Sequence, residues 1–161
     1  MLIGGTSLTK SAHVRDILAL LRTVRSYEDD LAWMRYLQLW PGIGPKTAER
    51  IVSAILASNA TNALEVLVQR LGQGHPGVIG YKHLIKTATV PQKALESAIQ
   101  TLAPVLETRY DRWHFRQKDL ELLATVAERY KSLVEFIDAF TLEPMTNTEM
   151  DRLEAEDIVT L

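Results

Sequence analysis

The sequence predicts an all-α fold, a multi-helix orthogonal bundle with short strand stumps at both termini. Three observations carry that expectation. Apolar residues recur at spacings of three and four through most of the 161-residue chain, the period of a helix with one buried face. Capping signals and Gly/Pro clusters punctuate these stretches at intervals suited to short helices. Strand-like composition is confined to the ends, Met1-Leu2-Ile3 before Gly4-Gly5, and Ile158-Val159-Thr160-Leu161. An apolar content of 47% is enough for a core in one domain.

A first helix is expected from about Ser11 to Arg25, with Val14, Ile17, Leu18 and Leu21 inward and His13, Arg15, Asp16 and Arg22 outward. The second opens at Asp29 or Asp30 and carries Leu31, Met34, Leu37 and Gln38 towards Trp40. A third runs from Pro45 to about Ser58 on Ala48, Ile51, Val52 and Ile55. Asn62 with Glu65 reads as a capping box for a fourth, which ends at Leu71. Gly72-Gln-Gly-His-Pro-Gly and Gly80 read as a Gly-rich connector, with Lys82, His83 and Lys86 on a short segment behind it. Thr89 and Gln92 cap a fifth helix that Pro104 kinks or ends. A sixth is expected over about 116–130, and Ser132 with Glu135 caps a seventh bearing Leu133, Phe136, Ile137 and Phe140. The division is a helical body, 1–142, and an acidic linker with the start of a strand, 143–161.

Charge divides the same way. Net charge is −2, but residues 143–161 hold six carboxylates against Arg152, a local net of −5 that leaves +3 on the body. A mildly basic body suits a few phosphate contacts and not strong autonomous binding. There are no cysteines, which excludes disulfides and thiolate metal sites and suits the cytoplasm. No run approaches about 18 consecutive apolar residues, so no membrane span is expected, and no leader of secretory type precedes the first helix. His13, His75, His83 and His114 lack ligand spacing and read as surface or loop residues, so no metal is expected.

Two stretches bear on function. In Tyr110-Asp-Arg-Trp-His-Phe-Arg-Gln-Lys118, interleaved aromatics and cations either seat one helix on its neighbour or stack bases. The former is the commoner role. In Trp40-Pro-Gly-Ile-Gly-Pro-Lys-Thr-Ala48, Gly42 and Gly44 permit positive φ or close approach to another surface, and Ile43 pins the turn inward. Pro45 suits the first turn of a helix, whose free N–H groups attract an anion. Lys46 and Arg50, one turn apart, add charge beside it. The pattern resembles a helix-hairpin-helix motif, which grips a nucleic-acid backbone without reading bases. A helix–helix turn needing glycine only for its shape is the plainer alternative.

The order of segments also resembles a known family. Gly4-Gly5-x-x-Leu8, Val14-Arg-Asp-Ile-Leu-Ala-Leu-Leu-Arg22 and Pro41-Gly-Ile-Gly44 are similar to the start of subdomain 2B in UvrD/Rep/PcrA-type superfamily 1 DNA helicases. Arg116-x-x-Asp-Leu-x-x-Leu123 and Ser132-Leu-x-x-Phe-Ile137 are similar to its last helices, and Asp157–Leu161 to the strand re-entering motor subdomain 2A. The resemblance implies an all-helical insertion that swivels, contacts duplex DNA at a single-strand/double-strand junction and restrains or activates unwinding, in repair or replication. It implies Gly42, Ile43, Gly44, Lys46 and Thr47 as the duplex-contacting residues, beside Arg50. It implies motor subdomains of the same parent chain as partners and ATP and Mg²⁺ as the parent's cofactors. Leu8-Thr9 stand where many relatives carry aromatics, so docking at the N-terminal end is expected to differ.

The chain itself has no Gly-x-x-x-x-Gly-Lys-Ser/Thr loop and no Asp-Glu pair after an apolar strand, so no catalytic site or cofactor is expected in it. Two other readings stand beside this one. A helix-hairpin-helix glycosylase needs a catalytic Asp beyond the hairpin, where this chain has Ser58-Asn-Ala-Thr-Asn-Ala63. A self-contained DNA-binding or protein-interaction module needs no motor, but ends that look like cut strands suit an insertion lifted out of a sheet better.

Overall fold

The computed structural model describes residues 2–3, 6–58 and 62–141, and over them the protein is all-α. Eight helices follow one another: α1 (Ala12–Arg25), α2 (Asp30–Leu37), α3 (Pro45–Ala57), α4 (Ala63–Leu71), α5 (Pro76–Thr87), α6 (Pro91–Arg109), α7 (Trp113–Ala127) and α8 (Leu133–Thr141). Ahead of them β1 (Leu2–Ile3) and β2 (Thr6–Ser7) pair antiparallel, Leu2 opposite Ser7, and lead into a 3₁₀ turn, Leu8–Lys10. The expected acidic linker and C-terminal strand, 143–161, lie outside the described residues.

Helix α1 is the centre. It packs on α2, α6, α7 and α8, while α2 to α6 form a series in which each helix meets the next. The expected inward face of Val14, Ile17, Leu18 and Leu21 is buried, but so are His13, Asp16, Ala19, Leu20 and Thr23. The outward assignment of His13 and Asp16 is therefore corrected, and Arg15 and Arg22 are half-buried. A helix surrounded by neighbours has no solvent face to give its polar residues; they are accommodated by pairing instead.

Asp16, 1% exposed, accepts from Arg35 Nε at 2.8 Å and from the Tyr110 hydroxyl at 2.6 Å. His13, also 1% exposed, lies between Asp119 (Nε2 to Oδ2, 2.9 Å) and Arg116 (Nη1 to Nδ1, 3.1 Å). The Arg116 guanidinium lies 4.8 Å from the Tyr110 ring centroid. These contacts tie α1, α2, α6 and α7 together through charge.

In α2 the buried face is Ala32, Trp33, Tyr36 and Leu37; Leu37 is inward and Met34 packs partly buried against the core as expected, but Leu31 is 78% exposed. The two aromatics take the core side because they bury the most area and reach acceptors there. Trp33 Nε1 donates to Tyr27 O at 2.9 Å, and Tyr36 donates to Gly77 O at 2.8 Å. Asp29 caps α2 as expected, accepting from Ala32 N at 3.1 Å.

Other caps depart from the sequence. Asn62 makes no side-chain cap on α4. α6 begins at Pro91 after Val90, with no side-chain cap, and Gln92 donates instead to Glu128. Pro104 does not end α6, which continues to Arg109; Pro104 and Gln100, whose carbonyl loses its partner, are both exposed. Ser132 does cap α8, accepting from Glu135 N at 3.1 Å. The Gly-rich connector is half helix, since α5 starts at Pro76. Its Gly77 and Gly80 are sites of close approach: a Cβ would lie 2.8 Å from Trp40 Nε1 at Gly77 and 2.2 Å from Thr101 Cγ2 at Gly80. No described helix is long and apolar enough to cross a membrane.

Candidate nucleic-acid interface

The hairpin between α2 and α3 is built from the core outward. Leu39 and Trp40 are buried, and Ile43 follows them inward at 8% exposure, as its position between two glycines predicts. Between them the chain reverses. Ile43 N donates to Trp40 O at 3.2 Å, Pro41 occupies the second position and Gly42 the third with φ +85°. That is the arrangement of a type II turn, which requires positive φ at its third residue and so favours glycine there.

Gly44 differs. Its φ of −92° and ψ of −177° are extended backbone open to any residue, and nothing lies within 4 Å of a Cβ built on it. The turn explains Gly42; no internal packing explains Gly44.

Helix α3 then opens as expected with Pro45 at its first turn, and Gly44 O receives Ala48 N at 2.9 Å. The N–H groups of Gly44, Lys46 and Thr47 have no protein acceptor among the described residues, and the first turn holds no acidic residue. Gly42, Gly44, Lys46 and Thr47 are all exposed at this end. A partial positive charge, unscreened by any carboxylate in the turn, is thus presented to solvent. Among the described residues Lys46 and Arg50 make no ion pair.

Arg50 lies one turn further along and lines a shallow, open depression with Glu49, Ser53 and Ala54 of α3 and Arg70 of α4. Sequence reasoning passes over Arg70, because only the packing of α4 on α3 brings it beside Arg50.

The hairpin is held from beneath by an aromatic chain. Trp33 and Tyr36, then Tyr36 and Trp40, then Trp40 and His75 meet edge to face, with centroids 6.4, 6.1 and 5.4 Å apart. His75 Nδ1 accepts from Gly77 N at 2.9 Å and caps α5, a role that needs the ring neutral on that nitrogen. Burial lowers the His75 pKa from its ordinary value in the same sense and raises that of the Tyr36 phenol. The α4–α5 turn repeats some of the hairpin's chemistry: Gly72 at φ +93°, then Gly74, then a Pro-initiated helix.

His83 and His114 are exposed and His75 lies in a loop, as expected; His13 is buried and does not fit that reading. Among the described residues no three His, Asp or Glu side chains converge as a metal site. The basic and aromatic cluster is split. Tyr110 and Arg116 seat helices, while Phe115 is 61% exposed. Comparison with family models, curated proteins and solved structures finds no match to this chain, so its reading rests on its own residues.

Proposed function

We propose that this chain is the duplex-DNA-contacting regulatory subdomain of an ATP-dependent superfamily 1, UvrD/Rep-like helicase acting in DNA repair or replication, and is itself non-catalytic. The observation that carries the reading is the α2–α3 hairpin. A type II turn pinned by Ile43 leaves the Gly44, Lys46 and Thr47 amides without an acceptor among the described residues, at a helix whose first turn has no acidic residue. Gly44 keeps the approach to them open, and Lys46 and Arg50 supply charge. A backbone phosphate is the group this arrangement accepts: anionic, compact and the same at every base step. In this reading the hairpin is of helix-hairpin-helix type, and the order of segments along the chain adds the helicase context. ATP and Mg²⁺ belong to the motor subdomains of the parent chain.

A labelled duplex titrated at two salt concentrations tests the contact. The expected result is weak, sequence-independent binding that falls with salt, its slope reduced by about one unit in Lys46→Ala. Binding indifferent to salt, or ATP hydrolysis by the chain above background, overturns the reading. A second reading, a self-contained binding module, draws support from the pairing of Leu2–Ile3 with Thr6–Ser7, which gives the first strand a partner of its own. The two part on whether motor motifs flank this segment in the natural reading frame.

A further inference from the structure

Phe115 stands at the start of α7 with most of its ring in solvent, an unusual place for a residue of that area. It is not bare. The Arg112 guanidinium lies 5.9 Å from its centroid, Lys118 Nζ lies 5.7 Å away, and the His114 ring meets it edge to face at 5.7 Å. Arg112 is also the one non-glycine residue with positive φ (54°) among those described, a backbone state that costs a β-carbon-bearing residue energy.

Charge in the segment is one-sided. Residues 109–118 hold Arg109, Arg112, Arg116 and Lys118 against Asp111 alone. Asp111 lies 3.6 Å from Arg116, and the next carboxylate, Asp119, is bonded to His13. Arg112, His114 and Lys118 have no ion pair among the described residues. An exposed aromatic ring with two cations over it that make no ion pair among the described residues matches a partner that is anionic along its length and offers flat, stackable faces. Duplex DNA conceals those faces within its own stack; unpaired nucleotides do not.

We infer that Phe115, with Arg112 and Lys118, forms a stacking platform for unpaired nucleotides of a single nucleic-acid strand. One base takes the place over the Phe115 ring that the two cations hold in the unbound chain, and their flexible side chains swing out to the flanking phosphates. The platform is separate from the α2–α3 hairpin and does not depend on it.

The test is anisotropy of a labelled oligothymidylate, about 12 nucleotides long, at low salt with the whole chain. Phe115→Ala and Phe115→Leu both lower affinity about tenfold, and Phe115→Trp restores it, because stacking needs an aromatic face and not merely apolar bulk. Arg112→Gln and Lys118→Gln each reduce the salt slope by about one unit. An unchanged thermal midpoint in the Phe115 variants shows that the fold is intact. Absence of binding by the parent overturns the inference. So does affinity retained in Phe115→Leu, the signature of an apolar protein partner, and so does a change of oligomeric state in Phe115→Ala. Lys46→Ala on duplex keeps the two interfaces apart. A normal loss there with no Phe115 effect sinks only the platform, and the converse sinks only the hairpin.

Discussion

His13 lies between Arg116, whose Nη1 is 3.1 Å from Nδ1, and Asp119, whose Oδ2 is 2.9 Å from Nε2, with a cation on one side and an anion on the other. Tyr110 works beside it with one hydroxyl that donates to Asp16. Burial first, and the Asp16 charge second, push the Tyr110 phenol up to about 12, and burial does the same for Tyr81, also to about 12. A pKa raised in the folded state favours folding while the proton is held. Stability from these groups is therefore complete below their ordinary value of 10.0 and lost as pH rises towards 12. Denaturation midpoints measured across pH 8 to 12 should be flat and then fall, and Tyr110→Phe should fall less steeply at a neutral-pH cost of about 1 kcal/mol. The hairpin glycines separate in the same way, by backbone state. Gly42→Ala puts a Cβ at φ +85° and should cost about 1–2 kcal/mol, a few degrees in thermal midpoint. Gly44→Val should melt with the parent yet bind duplex poorly, since its side chain would stand over the free amides. Equal stability losses at both positions would show that Gly44 also serves the fold. The inward Ile43 and the proline-started helix were legible from residue types alone. The different states of Gly42 and Gly44 were not, because both read simply as glycine until the turn's hydrogen bond is known. The burial of His13 and Asp16 was hidden too, since their partners lie on three other helices.

Helices α1, α3 and α4 were legible because their apolar residues keep helical spacing and nothing inside them breaks it. Helix α5 was not. Gly74, Pro76, Gly77 and Gly80 have the composition of a loop, and local propensity disfavours helix there. Tertiary packing overrides it: Gly77 admits the Trp40 indole, and Gly80 admits Thr101 of α6. The glycines are thus contact surfaces in a helix whose neighbours come too close for side chains. Gly80→Ala should destabilise by about 1–3 kcal/mol although alanine is the better helix former. Thr101→Ala removes two of the three clashing atoms, so the double variant should recover part of that loss in a mutant cycle of denaturation midpoints. A stabilising Gly80→Ala would refute the close approach. Pro104, expected to kink or end its helix, does not end it: a proline is tolerated where the lost hydrogen bond faces water.

The body's mild positive charge was visible from residue counts, but where that charge is usable was not. Among the described residues Lys46, Arg50 and Arg70 make no ion pair, whereas Arg35 and Arg116 are spent on Asp16 and on His13 and Asp111. Which cations are free to meet a phosphate is decided by pairing, and pairing is decided by packing. The position of α1 governs the molecule in another respect. Val14, Ile17, Leu20 and Leu21 are fully buried, and α1 touches four other helices. Exposing the α1 amides to solvent requires those neighbours to leave, so no partial opening can do it. In deuterium exchange under native conditions, the amides of residues 17–21 should be the slowest in the chain. Their opening free energy should equal that of global unfolding, and the first turn of α3 should exchange orders of magnitude faster. Faster exchange in α1 than in α6 would contradict this. The protein therefore carries its own stability gauge: a single α1 amide, followed over hours, would register every ligand that binds the folded state, wherever on the surface it docks.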